Sequence, residues 1–143
     1  MRLVVDASVV IPCFVPERFS DVAPFWIEAA ELIVAPDLLA LECANILWKK
    51  ARMRAISELQ AGDTLADIVS GAIQLRPSAP LASAALRLGA ELDHPVYDCV
   101  YLALAETENA ELVTADREFW QRVTNRRPNV RAHWVADKLP SVH

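Results

Sequence analysis

Four carboxylates stand where an apolar chain leaves no evident place for them. Asp6 closes the run Leu3-Val4-Val5, and Glu42 interrupts Leu38-Leu39-Ala40-Leu41 and Cys43-Ala44. Asp98 parts Val96-Tyr97 from Cys99-Val100-Tyr101-Leu102, and Asp116 follows Leu112-Val113-Thr114-Ala115. An isolated carboxylate taken out of water costs several kcal/mol or takes up a proton. No Lys or Arg recurs at a spacing that pairs with all four. A shared cation would neutralise them together, and oxygen-only donors favour a hard ion, Mg2+ or Mn2+. The chemistry such a centre performs is metal-assisted hydrolysis. Singly, each acid has a simpler use. Asp6 and Asp116 can cap helices, Asp98 can sit in a first helical turn, and Glu42 can face Lys49 or solvent.

The elements that must bring these acids together alternate between short apolar runs and longer helical patterns, the signature of parallel βαβ construction. Strands are expected at Arg2 to Asp6, Leu32 to Ala35, Ala72 to Leu75, Glu111 to Thr114 and Val130 to Val135. Ser8 to Val15 reads as a short helix or turn interrupted by Pro12, and Ser20 to Glu31 as a helix capped by Ser20. Further helices are expected from Asp37 to about Arg54, Glu58 to Ser70, Pro80 to Leu92, Val96 to Thr107 and Asp116 to Val123. In the first of these, Leu41, Ala44 and Trp48 form one face, with Leu38, Glu42, Asn45 and Lys49 on a neighbouring one. In an open parallel sheet, ligands gather beyond the carboxyl ends of the strands, where strand order reverses. Asp6 and Asp116 fall at such ends, and helices carrying Glu42 and Asp98 can lean over the same edge.

The chain has 143 residues, 14 Lys+Arg against 19 Asp+Glu, and a formal charge of -5. This length suits one domain, 1–143, with no internal repeat or linker. Apolar residues make up 54%, enough for a sizeable core and some surplus for a partner interface. The longest apolar stretches, Val9 to Val15 and Cys99 to Ala105, fall far short of the ~18–20 residues a bilayer span needs. Asp6 stands where a signal peptide would need its apolar centre, so a cytoplasmic location is expected. Cys13, Cys43 and Cys99 lack metal-ligand spacing and read as small buried hydrophobes.

Four motifs together resemble the PIN-domain ribonucleases, and more closely the VapC toxins of type II toxin–antitoxin systems. They are Val4-Val5-Asp6-Ala7-Ser8-Val9; Ala35-Pro36-Asp37-Leu38-Leu39 with Glu42, Ala44-Asn45 and Leu47-Trp48; His94-Pro95-Val96-Tyr97-Asp98 with Tyr101-Leu102-Ala103-Leu104-Ala105; and Leu112-Val113-Thr114-Ala115-Asp116-Arg117-Glu118-Phe119. The resemblance runs from Arg2 to about Val135. It implies a Rossmann-like three-layer α/β/α sandwich with a mostly parallel central sheet of about five strands. It also implies a Mg2+-dependent endoribonuclease, with Mn2+ able to substitute, that leaves 3′-hydroxyl and 5′-phosphate ends. Carried over residue by residue, Asp6, Glu42, Asp98 and Asp116 form the acidic quartet. Asp6, Asp98 and Asp116 are the metal ligands, and Ser8, Asn45 and Thr114 are supporting polar groups. The family implies a cognate VapB-type antitoxin and a homodimer.

RNA must still reach an acidic site. Lys49, Lys50, Arg52 and Arg54 follow Glu42, while Arg122, Arg126 and Arg127 follow Asp116, and both groups are expected to flank the cleft as backbone contacts. A haloacid-dehalogenase-type phosphatase would need a second acid where Ser8 stands. A response-regulator receiver would need an early acidic pair and a late Lys, neither of which is in place. The remaining alternative is a catalytically silent, metal-stabilised binding module that docks a protein partner.

Overall fold

Leu3, Val4 and Val5 are wholly buried, as an unbroken apolar run in the middle of a parallel sheet requires. They belong to β1 (Arg2–Val5), flanked in the sheet by β2 (Leu32–Pro36) and β4 (Glu111–Thr114), with β3 (Ile73–Arg76) and β5 (Ala132–Trp134) at the edges. The order is β3-β2-β1-β4-β5, and every pairing is parallel. This computed structural model describes residues 1–141.

Parallel neighbours need crossover connections, and here helices supply all of them. They are α1 (Ala7–Val10), α2 (Ala23–Ala29), α3 (Leu38–Arg52), α4 (Glu58–Ser70), α5 (Ala82–Leu92), α6 (Val96–Thr107) and α7 (Arg117–Arg126). The chain steps from β1 through β2 to β3 in one direction, then returns to β4 and β5 on the other side of β1. With right-handed crossovers, that reversal puts helices on both faces and completes the α/β/α sandwich. The crevice opens where the direction changes, between the carboxyl ends of β1 and β4.

Helix α6 crosses the middle of the sheet, and its residues from Cys99 to Ala105 are buried without a break. Helix α5 packs outside it and ends at Asp93, whose left-handed φ of 51° turns the chain into His94-Pro95. No side chain caps α6; Asp98 in its first turn provides the favourable negative charge instead. Ser57 and Gln60 form a reciprocal capping box at the start of α4.

Two local expectations, for α2 and β5, need correction. The helix expected from Ser20 to Glu31 is confined to Ala23–Ala29, because the Ser20 hydroxyl bonds to Glu17 N–H and Val15 C=O instead of capping it. The buried stripe of α3 is Leu39, Cys43 and Leu47, leaving Leu41 and Trp48 exposed at 72% and 54%. Edge strand β5 is shorter than expected, since only Ala132–Trp134 pairs with β4. Cys43 and Cys99 are buried and Cys13 is half-buried, all as free thiols.

Candidate active site

The register that pairs Val5 with Val113 brings the next residues, Asp6 and Thr114, side by side at the sheet edge. Thr114 Oγ1 donates to Asp6 Oδ2 at 2.6 Å. Ser8 N–H donates to Asp6 Oδ1 at 3.1 Å as α1 begins, and the Ser8 hydroxyl bonds the same oxygen. Ser8 Oγ in turn accepts from Ala115 N–H at 2.9 Å, and Thr114 Oγ1 accepts from Asp116 N–H at 3.1 Å. Two hydroxyls therefore tie the ends of β1 and β4 into one structure.

Burial raises the Asp6 pKa from 3.8 to about 7; the bonds from Ser8 and Thr114 oppose that rise, and the charges of Asp98 and Glu42 add to it. Asp6 is only 6% exposed. Glu42 reaches the same region from α3, where Tyr101 OH donates to its Oε1 at 2.8 Å. Its pKa is also raised, mainly by burial and further by Asp98, with the Tyr101 bond acting against the rise. Asp98 Oδ2 lies 2.6 Å from His94 Nε2. Asp116 caps α7 by accepting from Phe119 N–H through Oδ1 at 3.1 Å. Candidate ligand atoms of His94, Asp98 and Asp116 lie within 4.8 Å of one another.

Asp98 and Asp116 thus lie together beside His94, Asp6 and Glu42 both feel the charge of Asp98, and oxygen donors of this kind suit a hard divalent cation. Asp116 and Glu42 each accept through one oxygen, Asp98 shares one oxygen with His94 Nε2, and the second oxygen of each has no hydrogen-bond partner among the described residues. Among the described residues, no Lys or Arg forms an ion pair with any of the four. A buried Asp6 without a cationic partner is an uncompensated charge, which a cation would relieve.

Other expected residues are placed differently. Asn45 is exposed, one turn beyond Glu42, and joins none of the hydrogen bonds that hold the acids. Lys50 pairs with Glu17 at 2.6 Å, whereas Lys49 is exposed and Arg52 lies over the Trp48 ring at 5.5 Å. Arg122 holds the end of α5 through the carbonyls of Leu92 and Asp93, and Arg126 bonds the Glu91 carbonyl at 3.1 Å. Arg127 is engaged by Glu106 and Glu91. Sequence reading missed Tyr101 and His94 as site neighbours. Both stand in the motif around Asp98, three residues after it and four before it, without a role read for either.

A five-stranded parallel sheet with acids at its topological switch defines a class of α/β protein, and similarity to known proteins identifies the family. The PIN domain model matches residues 3–125, and the chain belongs to that family. Within it, the chain is a homologue of the VapC ribonucleases, and PIN nucleases are hydrolases. It is 35% identical over 124 residues to Ribonuclease VapC3 of Pyrobaculum aerophilum, covering 85% of this chain and 95% of that protein. The crystal structure of PAE2754 from the same organism superposes with a TM-score of 0.68 at 27% identity, covering 85% of this chain and 79% of that one. VapBC2 from Rickettsia felis, solved bound to a promoter DNA fragment, shares the fold at a TM-score of 0.65 and 17% identity, covering 94% and 98%. Among the described residues, no helix is long and apolar enough to cross a membrane.

Proposed function

We propose that this chain, acting as one domain, is a Mg2+-dependent endoribonuclease and the toxin of a VapBC-type pair. The observation that carries the proposal is Asp6, buried between Ser8 and Thr114, facing other carboxylates and lacking a cationic side chain. Asp6, Asp98 and Asp116 would hold the ion. When bound, it supplies positive charge opposite the phosphoryl oxygens and acidifies the attacking water. Glu42, kept in place by Tyr101 and with its proton affinity raised, is suited to take the proton from that water. The leaving group is the 3′-oxygen of the upstream nucleotide, giving 3′-hydroxyl and 5′-phosphate ends.

Lys49 and Arg52 are the RNA backbone contacts in this reading, since Lys50, Arg122 and Arg126 already have protein partners. The antitoxin would cover the groove of about 440 Å³ between α3 and α4, lined by Leu47, Trp48, Arg52, Ala61 and Leu65. A homodimer belongs to the same proposal and is tested by light scattering.

The deciding experiment incubates purified protein with RNA and Mg2+, then repeats it with EDTA and with Asp6→Ala. Cleavage abolished by both treatments supports the nuclease. A Mg2+-dependent rise in melting temperature without RNA cleavage would establish the binding module instead.

A further inference from the structure

His94 stands beside Asp98 and Asp116 without a part in the proposed reaction, yet its surroundings are built in detail. The side chain is 5% exposed, and the ring stacks on Phe119 at 4.9 Å and 25°. Phe119 lies in the first turn of α7, and its N–H is the group that Asp116 caps. The His94 N–H donates to the Gly89 carbonyl of α5 at 3.1 Å. A Cβ on Gly89 would lie 3.1 Å from His94 O and 3.2 Å from Val96 Cγ2, so α5 backbone packs directly against this turn. Helix α5 therefore fixes the His94 backbone while α7 and α6 fix its ring, with Nε2 2.6 Å from Asp98 Oδ2.

We propose that His94 is a positioning residue that donates from Nε2 to one oxygen of Asp98 and leaves the other oriented toward the divalent ion. The proposal rests on the metal-dependent reading above. A carboxylate oxygen only accepts, so a contact this short requires the proton on Nε2. That proton also occupies the Nε2 lone pair, so the nitrogen facing Asp98 is a donor and not a ligand. A Lys or Arg in this place would cancel the charge of Asp98 and compete with the cation. The imidazole restrains the carboxylate through one oxygen and leaves the second without a protein partner. Asp98 needs the restraint because its side chain is 27% exposed and sits at the rim of the site. Outer hydrogen-bond partners of this kind typically contribute about 10–100-fold in metal affinity.

The test combines a tautomer measurement with Mn2+ titration on the full chain. In the metal-free protein, long-range 1H–15N correlation should show the proton of His94 on Nε2; an Nε2 without a proton overturns the proposal. By calorimetry, His94→Phe, which keeps the stacking and removes the donor, should bind Mn2+ roughly 10–100-fold more weakly. His94→Gln, which can again donate, should recover part of that loss. Wild-type affinity in His94→Phe overturns the proposal alone, as does the electron-spin-echo signature of an imidazole nitrogen bound directly to Mn2+. Wild-type protein that binds no Mn2+ overturns the metal-dependent reading and this proposal with it. The tautomer measurement needs no variant, so a His94→Phe protein that fails to fold leaves it decisive.

Discussion

Thr114 and Asp6, 108 residues apart in sequence, meet through a 2.6 Å hydrogen bond at the carboxyl edge of adjacent parallel strands. The bond steadies the most deeply buried member of the quartet. It also gives Asp116 N–H its acceptor, because Thr114 Oγ1 serves both. Replacing Thr114 by Val keeps the shape and removes both functions. The expected outcome is a stability loss of about 1–3 kcal/mol at pH 8 by urea denaturation. Mn2+ affinity should fall by about 10-fold or more in calorimetry.

Asp6 governs the pH dependence of the metal-free fold. Its pKa is about 7 in the folded state against 3.8 ordinarily, so the native protein binds more protons between those values. Stability is therefore lost as pH rises through that window. In EDTA the protein should be more stable at pH 5 than at pH 8, by on the order of 3 kcal/mol. Asp6→Asn should flatten this profile while abolishing RNA cleavage. Adding Mg2+ at pH 8 should restore stability to the wild type, because the ion binds only the native state. Metal-free stability that climbs from pH 5 to pH 8 would contradict the assignment.

Tyr101 is wholly buried and donates to Glu42, and that bond holds the glutamate's pKa below where burial would put it. Tyr101→Phe removes the opposing effect, so Glu42 should ionise at higher pH. The acidic limb of the pH–rate profile for RNA cleavage should move upward, with a stability cost of about 1 kcal/mol. An unmoved limb would remove Glu42 from proton transfer.

Trp48 and Leu41 are more than half exposed, so changing them costs the core little. Trp48→Ala should weaken capture of the cognate antitoxin by 10-fold or more, since large aromatics dominate interface energetics. Equal affinity in a pull-down titration would place the antitoxin elsewhere.

The basic residues should separate by salt dependence. Lys49→Ala and Arg52→Ala should each reduce the slope of log affinity for RNA against log salt by roughly 0.7, one phosphate contact on a single strand. Arg122→Ala should leave that slope unchanged. It should instead lower the melting temperature, because Arg122 ties α7 to the carbonyls ending α5.

Much of this protein was legible in its sequence because the relevant signals are local. An acid ending a continuous apolar strand, or breaking an apolar helix, is visible without knowing its neighbours. Alternating short runs and helices are enough to imply a parallel sheet whose strand ends share an edge. Tertiary structure decided the rest. The apolar residues of α3 are too many to choose between stripes, and only packing makes Leu39, Cys43 and Leu47 the buried one. Spacing could not tell that Arg122 and Lys50 are occupied while Lys49 is exposed, because their partners lie on distant segments. The hydrogen bonds of Thr114, Tyr101 and His94 likewise depend on side-chain direction across separate elements. Residue order therefore determined where the acids fall along strands and helices, and the packing of those elements decided which oxygens keep a protein partner and which do not.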